Sequence, residues 1–468
     1  MKRFVILIGL SILLSSCKKD DVQKPNIVFI LIDNMGCTDV GFMGAKYYET
    51  PNIDRLAKNG MIFTRAYANA ANCAPTRACL LSGQYTPRHG VFTVANSDRG
   101  KPENRRLIPI ENNETLPLDK ITIAEALKPA GYTSAAIGKW HVGNSPQLQG
   151  FDVGMERGDL GYPRGHFKDD GEYLTDRLTD EAIKFITENK EKPFFLYLAH
   201  HAVHTPIQAK KEKTEKYEEK ETEECHSKAE YAAMIESVDE SVSKINQTLE
   251  NLNLSENTIL IFFSDNGGHG TYTCQKPLRG GKGMYYEGGI REPMFAYWPG
   301  KIKAGTTCNV PVISTDFYPT FLEIANAPKP ENYILDGKSI VPLLKEEKSF
   351  QRDALFWHFP GYLEAYNGLM EDARDITFRT RPVSVIQKNN WKLLVYYEEW
   401  MLDGGRENIA SNHAVELYNL AEDISESNNL CNSEIEIRDE LLDELLSWIQ
   451  ETKAAIPQNA NPEFVSKL

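Results

Sequence analysis

The chain has 468 residues, 41% of them hydrophobic and 25% charged, with a formal net charge of -14 at pH 7. This is the composition of a globular protein, and it excludes a collagen-like, coiled-coil or wholly disordered chain. The acidic balance argues against nucleic acid as a partner, so an anionic ligand would have to meet a local patch of positive charge. At this length one large α/β core with a smaller accessory domain is expected.

The chain opens with "MKRFVILIGLSILLSSCKKDD". Lys2 and Arg3 precede an apolar run from Phe4 to Leu14, shorter than the roughly 20 residues that span a bilayer. Such a segment reads as a secretory signal. "LSSC" from Leu14 to Cys17 resembles a bacterial lipobox, so residues 1–17 are expected to be a lipoprotein signal with Cys17 as the lipidated first mature residue. Residues 18–25 form a polar tether. The expectation is an exported bacterial lipoprotein, held by its lipid anchor on a membrane and facing the periplasm or cell surface from the outer membrane.

From Asn26 the run "NIVFILID" is continuously apolar and of strand length, as for a strand covered on both faces of a parallel sheet. Similar runs recur as "YTSAAIG" from Tyr132, "KPFFLYLAH" from Lys192 and "TILIFFSD" from Thr258. Helical patterns lie between them. One begins at Thr50-Pro51 and stops at Gly60, with cap and breaker in place. Another carries Ile235, Val238, Val242, Ile245, Leu249 and Leu252 on one stripe. The stretch "KKEKTEKYEEKETEECHSK" from Lys210 to Lys228 has mixed-sign charge and reads as a solvated helix or loop. Strands alternating with helices predict a mostly parallel α/β sheet over residues 26–350. Shorter pieces such as "NNWKLLVYYEEW" and a last helix, "RDELLDELLSWIQETK", predict an α+β subdomain over 351–468.

Eight cysteines, at 17, 37, 73, 79, 225, 274, 308 and 431, show no paired C-x-x-C spacing, which argues against a zinc site. Disulfides are permitted in an oxidising compartment, with the pairing left open. Cys73 stands two residues before Pro75 and four before Arg77 in "NCAPTRACLLSG", where a helix should start and stop at Gly83. A thiol there lies beside backbone N–H groups and a guanidinium, a setting suited to anions.

In open parallel sheets ligands bind beyond the carboxyl ends of the strands. Here those ends carry Asp33-Asn34, then Lys139 and His141 in "GKWH", then His200, His201 and His204 in "HHAVHTP", then Asp265 and Asn266 in "SDNGG". Lys282 follows on the glycine-rich "LRGGKGMYYEGGIREP". Two Asp-Asn pairs supply hard oxygen donors for Ca2+ or Mg2+. Lysines and histidines at the same edge suit a tetrahedral oxyanion and its leaving group.

"CAPTR" at Cys73 to Arg77 resembles the C-x-P-x-R signature of the formylglycine-dependent (type I) sulfatases of the alkaline phosphatase superfamily. "PNIVFILIDN", "TPNIDRLAKNG", "GKWHVG", "HAVHTP", "FSDNGG" and "LRGGKGMYYEGGIREP" resemble companion motifs of that family, in order. The resemblance implies that a formylglycine-generating or anaerobic sulfatase-maturing enzyme oxidises Cys73 to formylglycine. Its hydrated diol would attack sulfur, form a covalent sulfate on residue 73, and expel sulfate by C–O cleavage. It further implies Asp33, Asn34, Asp265, Asn266 and the modified Cys73 as ligands of Ca2+, with Mg2+ as the other candidate. Arg77 would steady the diol, Lys139 and Lys282 would hold sulfate oxygens, His204 would protonate the leaving oxygen, and His141 would hydrogen-bond the diol. The family usually has two consecutive acidic residues where this chain has Asp33-Asn34, a loss of one negative charge that should weaken cation affinity.

The implied activity is hydrolysis of a sulfate ester, with a sulfated carbohydrate as the expected substrate. His201, and His358 with Trp357 in "FWHFPGY", are the candidates for the sugar subsite. Two other readings fit the same motifs: a phosphodiesterase or phosphonate monoester hydrolase, and a non-catalytic glycan-binding lipoprotein on a sulfatase scaffold.

Overall fold

The computed structural model describes residues 24–162, 164–366 and 372–466. Cys17 and the lipobox lie outside the described residues. Among those described, no helix is long and apolar enough to cross a membrane.

The central sheet has nine strands: β1 (Asn26–Ile32), β2 (Met61–Tyr67), β3 (Thr133–Gly138), β4 (Val153–Met155), β5 (Phe194–Ala199), β6 (Thr258–Ser264), β7 (Arg291–Tyr297), β8 (Thr306–Cys308) and β9 (Val312–Ile313). Their spatial order is β4-β3-β5-β1-β6-β7-β2-β8, with β9 also paired to β2. The block from β4 to β6 is parallel, and β7 runs antiparallel to both β6 and β2. Every residue of β1, β5 and β6 is buried, which is why these strands read as unbroken apolar runs. Each large aliphatic or aromatic side chain covered in this way contributes about 1.5–3 kcal/mol.

One core lies on each face of the sheet. On one side Phe29, Tyr197 and Phe263 pack with Phe317 and Phe321 of the helix Phe317–Ala325. On the other, Ile235, Val238, Val242, Ile245 and Leu249 of the helix Ala229–Asn251 meet Val28, Ile30 and Leu260. The stripe seen in the sequence is the buried face of that helix.

The charged stretch before it is less solvated than its composition suggests. It forms a helix, Lys211–Glu218, with Lys213 and Tyr217 buried. Beyond that helix, Glu223 accepts hydrogen bonds from the backbone of Lys46 and Tyr47 at 3.0 and 2.8 Å, and Cys225 is disulfide-bonded to Cys274.

The C-terminal part is built on an antiparallel sheet. Its strands are β10 (Leu355–Phe359), β11 (Leu363–Glu364), β12 (Phe378–Thr380), β13 (Val383–Lys388), β14 (Trp391–Tyr396) and β15 (Val415–Asn419). The order is β10-β13-β14-β15, with β11 and β12 as a separate ribbon and the helix Ile435–Thr452 against the sheet. Tyr67, Phe92, Tyr285 and Tyr286 of the large domain share one core with Leu355, Trp357 and Phe359. The two parts are therefore packed as one body.

Several buried histidines are structural. His200 hydrogen-bonds Ser241 Oγ at 2.9 Å, and His89 lies 3.3 Å from Cys79 Sγ. His358 bonds Ser384 Oγ at 2.7 Å and Ala455 O at 3.0 Å. Burial lowers all three, His89 to about 3 and His200 and His358 to about 4. The unfolded chain takes up these protons below about pH 6.5 while the folded chain refuses them, so stability is full above that pH and is lost as pH falls toward 4. Each histidine should account for about 2 kcal/mol of lost stability at pH 5. Urea unfolding at pH 7 and pH 5 checks this: His358→Gln should lose about 2 kcal/mol less between the two conditions than the wild-type chain, and an equal loss would contradict the assignment.

Candidate active site

The site sits at the carboxyl end of the parallel block. β1 delivers Asp33 and Asn34, β3 delivers Lys139, and β6 delivers Asp265 and Asn266. Gly138 makes the turn after β3 possible. Its φ is +104°, and a Cβ there would stand 1.9 Å from Ala199 O. Only glycine lets Lys139 N donate to Ala199 O at 2.8 Å and turn the side chain into the site.

Cys73 is the first residue of the helix Cys73–Ser82, which ends at Gly83 with φ +67°. Its thiol therefore meets the positive end of a helix. Thr76 fixes the start of the helix by donating to Ala70 O at 2.9 Å and accepting from Ala70 N at 3.2 Å. One turn on, Arg77 is fully buried and clasps Asp265 through Nε at 2.8 Å and Nη2 at 2.7 Å, while Nη1 donates to the Lys139 carbonyl.

Asp33 pairs with Lys139. Asn34 adopts φ +67°, a conformation that asparagine tolerates better than most side chains. Its backbone N–H donates to Asp265 Oδ1 at 3.2 Å, and its carbonyl accepts from Tyr231 Oη at 3.1 Å. Asn34 Oδ1 accepts from Lys282 Nζ at 2.6 Å and Asn266 Nδ2 at 2.9 Å.

Two carboxylates, Asp33 and Asp265, thus face three cations, Arg77, Lys139 and Lys282. Burial would raise Asp33, but Lys139, His204, Arg77 and Lys282 outweigh it and hold the carboxyl well below the usual range. Asp265 goes the other way, raised to about 6 by burial and by the charge of Asp33. Burial also opposes ionisation of Cys73, yet Lys139 and Lys282 bring its thiol below the ordinary value. Burial pulls Lys282 down.

The donor set fits a hard divalent cation. One ligand atom each from Asp33, Cys73 and Asp265 lies within 4.8 Å of the others. Asp33 Oδ1 and Asn266 Oδ1 are buried oxygens with no hydrogen-bond partner. Carboxylate and amide oxygens are the ligands that Ca2+ and Mg2+ prefer.

Beside this cluster is a cavity of about 530 Å³ lined by Lys139, His141, His201 and His204. His204 Nδ1 lies 2.7 Å from Thr205 O, which assigns the proton to Nδ1 and leaves Nε2 unbonded. Burial and the neighbouring lysines hold His204 and His141 at about 3, so both rings are neutral in the free site. Burial also holds His201 well below the ordinary histidine value. His141 has φ +62°, and its Nδ1 is buried without a partner. An unusual backbone conformation of this kind persists where surrounding structure enforces it.

Two family models match the chain: Sulfatase over residues 25–327, and N-sulphoglucosamine sulphohydrolase, C-terminal, over residues 281–453. The chain belongs to the sulfatase family. A sulfatase of Formosa agariphila is 34% identical over 92% of this chain and 90% of its own length. N-acetylgalactosamine-6-sulfatase of Mus musculus is 31% identical over 72% of this chain and 69% of its own. Among solved structures, Ps i-CgsB in complex with k-i-k-neocarrahexaose is 29% identical, with a TM-score of 0.73 over 93% of this chain and 95% of that one. The activity class is that of a sulfuric ester hydrolase.

Of the residues singled out in the sequence, Asp33, Asn34, Cys73, Arg77, Lys139, Asp265, Asn266 and Lys282 meet in this sulfatase site, and His141, His201 and His204 line the adjoining cavity. His358 does not. It is 1% exposed, both ring nitrogens are engaged within the C-terminal part, and it packs edge-on to Phe92 and Tyr397. Trp357 donates from Nε1 to Ala68 O at 2.7 Å and packs on Tyr67, so it belongs to the core between the two parts. The expected sugar contact of "FWHF" is therefore corrected to a packing role.

The cavity also contains Glu156, Arg157, Arg164 and His166, which the sequence reading passed over. They lie on an irregular segment with no periodicity to mark it.

Restoring the second acidic residue tests the cation reading. Asn34→Asp adds a negative charge beside Lys282 and should tighten calcium binding about tenfold, read from the calcium dependence of the thermal midpoint. Equal affinity in the two proteins would contradict placing Asn34 at the cation.

Proposed function

We propose that the chain hydrolyses a sulfate ester on a carbohydrate, with formylglycine derived from Cys73 at the reacting position. Ca2+, or Mg2+ in its place, would be held by Asp33, Asn34, Asp265, Asn266 and residue 73. The observation that carries the reading is the excess of three buried cations over two carboxylates around Cys73, beside a cavity. A site charged in this way calls for an anion. The named activity of the mouse relative and the bound sugar of Ps i-CgsB support a sulfated carbohydrate as its source.

Bound at these residues, the cation supplies Lewis acidity that makes an adjacent oxygen more acidic and more nucleophilic. The chain's own groups do the rest. Lys139 and Lys282 bind sulfate oxygens and neutralise the charge that grows on them. Arg77 holds Asp265 and, through the Lys139 carbonyl, the base of the lysine that binds the sulfate. His204 uses Nδ1 on Thr205 O and keeps Nε2 for the leaving oxygen. The negative charge of the sulfate is what raises this ring toward protonation, so the acid is armed by the substrate. His141, which lines the cavity with Lys139, handles the proton of the release step. Activity then depends on a maturation enzyme acting on Cys73, and a lipid on Cys17 would place the enzyme at a membrane surface.

Turnover of matched 4-nitrophenyl sulfate and phosphate, together with sulfated oligosaccharides assayed by sulfate release, tests this reading. The expected outcome is sulfate preferred over phosphate by at least about a hundredfold in kcat/KM, and sulfate release from a sugar. His204→Ala should lower kcat for a sugar sulfate by about a hundred- to ten-thousandfold. Preference for phosphate, or no release of sulfate from any sugar, would overturn the proposal.

A further inference from the structure

Each of the buried cations at the catalytic cluster has its counterpart. Arg77 has Asp265, Lys139 has Asp33, and Lys282 has the Asn34 amide oxygen. Arg379, on β12 of the C-terminal part, is different. It is 6% exposed, and no carboxylate among the described residues lies within ion-pair distance of it.

Its guanidinium is nevertheless held in place. Nε donates to Glu364 O at 2.8 Å, Nη1 donates to the Tyr366 hydroxyl and lies 3.5 Å from Lys282 O, and Nη2 makes no hydrogen bond among the described residues. Cζ lies 3.9 Å from the centroid of the Tyr366 ring, and His269 stacks on that same ring at 3.9 Å and 25°. Nη1 passes 2.9 Å from where a Cβ on Gly283 would stand, so the group runs against the backbone that carries Lys282. Tyr366 and Lys282 both line a cavity of about 410 Å³. Burial and the charge of Arg99 disfavour the Arg379 cation, while Tyr366, Glu364 and Cys73 favour it without an ion-pair contact.

A guanidinium buried this far with no carboxylate in ion-pair contact among the described residues is costly, and part of that cost is recovered when a ligand supplies an anion. The surroundings say what kind of ligand. Arg379 offers its unengaged Nη2 and its positive charge to an oxyanion, beside the Tyr366–His269 stack. We infer that Arg379, with the Tyr366–His269 stack, recognises a second anionic substituent of the substrate, a sulfate or a carboxylate, beside the ester that is cleaved. This rests on the carbohydrate sulfatase reading and adds a requirement to it: the preferred substrate carries more than one negative group. Arg379 binds rather than reacts, and its contribution is to select among sulfated sugars.

The test measures binding and sulfate release separately. Calorimetry on the full chain bearing an unconverted Cys73 would compare N-acetylgalactosamine 6-sulfate with its 4,6-disulfate and with the uronate-containing disaccharide of the same 6-sulfate. κ-Neocarratetraose would be compared with the more highly sulfated ι-neocarratetraose. The inference expects the richer anion of at least one set to bind about ten- to a hundredfold tighter. Arg379→Gln should bring the members of that set within about threefold, and Arg379→Lys, which keeps the charge but not the guanidinium, should retain part of the preference.

The disulfate and uronate arms tell a second sulfate from a carboxylate. Absence of any preference, including no binding at all, overturns the inference, as does a preference that survives in Arg379→Gln. Sulfate release by the matured enzyme distinguishes the two levels. Release without preference defeats this inference alone, whereas no release from any sulfated sugar defeats the carbohydrate reading beneath it.

Discussion

The ion pair between Arg77 and Asp265 ties together three pieces of chain that are far apart in sequence. Arg77 comes from the helix that begins at Cys73, Asp265 from the end of β6, and the Lys139 carbonyl, which Arg77 also engages, from the end of β3. Both charges are fully buried, so removing either would leave the other stranded, a loss of about 3–5 kcal/mol in comparable pairs. The consequence is geometric as well as energetic. With Arg77 fixed, the first turn of its helix is fixed, and Cys73 is set opposite Asp33. With the Lys139 carbonyl fixed, the lysine side chain has one direction in which to go.

The parallel sheet makes this arrangement economical. β3, β1 and β6 run the same way, so their carboxyl ends present Lys139, Asp33 and Asp265 along one edge. Fully apolar strands anchor those ends in two cores, and the polar residues appear only where the strands stop. The cluster that results is positively charged in its surroundings and acidic at its centre. Such a site suits a cation at the carboxylates and an oxyanion at the lysines. Burial keeps both interactions strong, because little water competes for them.

How far the site was legible in the sequence follows from the same physics. β1, β5 and β6 were visible because burial on both faces demands continuous apolar residues, and the site residues were visible because they follow those runs directly. β2 and β7 were not. "MIFTRAY" and "REPMFAY" carry Arg65, Arg291 and Glu292 inside the strands, so neither reads as an apolar run. His358 misled because its polarity suggested a ligand, whereas its ring is satisfied by Ser384 and Ala455 in the core. The Cys225–Cys274 pair closes across 49 residues, a distance that spacing does not encode. Arg379 had no local signal at all. It lies on a three-residue strand, and only the packing of the C-terminal part against the catalytic domain brings it beside Lys282.

The central claim is that position 73 is the reacting residue, in its oxidised form. The most direct measurement is mass spectrometry of the tryptic peptide "AYANAANCAPTR", residues 66–77, from protein made in its native host. The account predicts loss of hydrogen sulfide with gain of one oxygen at Cys73, the change from thiol to aldehyde. An intact thiol in a host that matures other sulfatases would contradict it and leave a cation-rich pocket without the group that performs the chemistry.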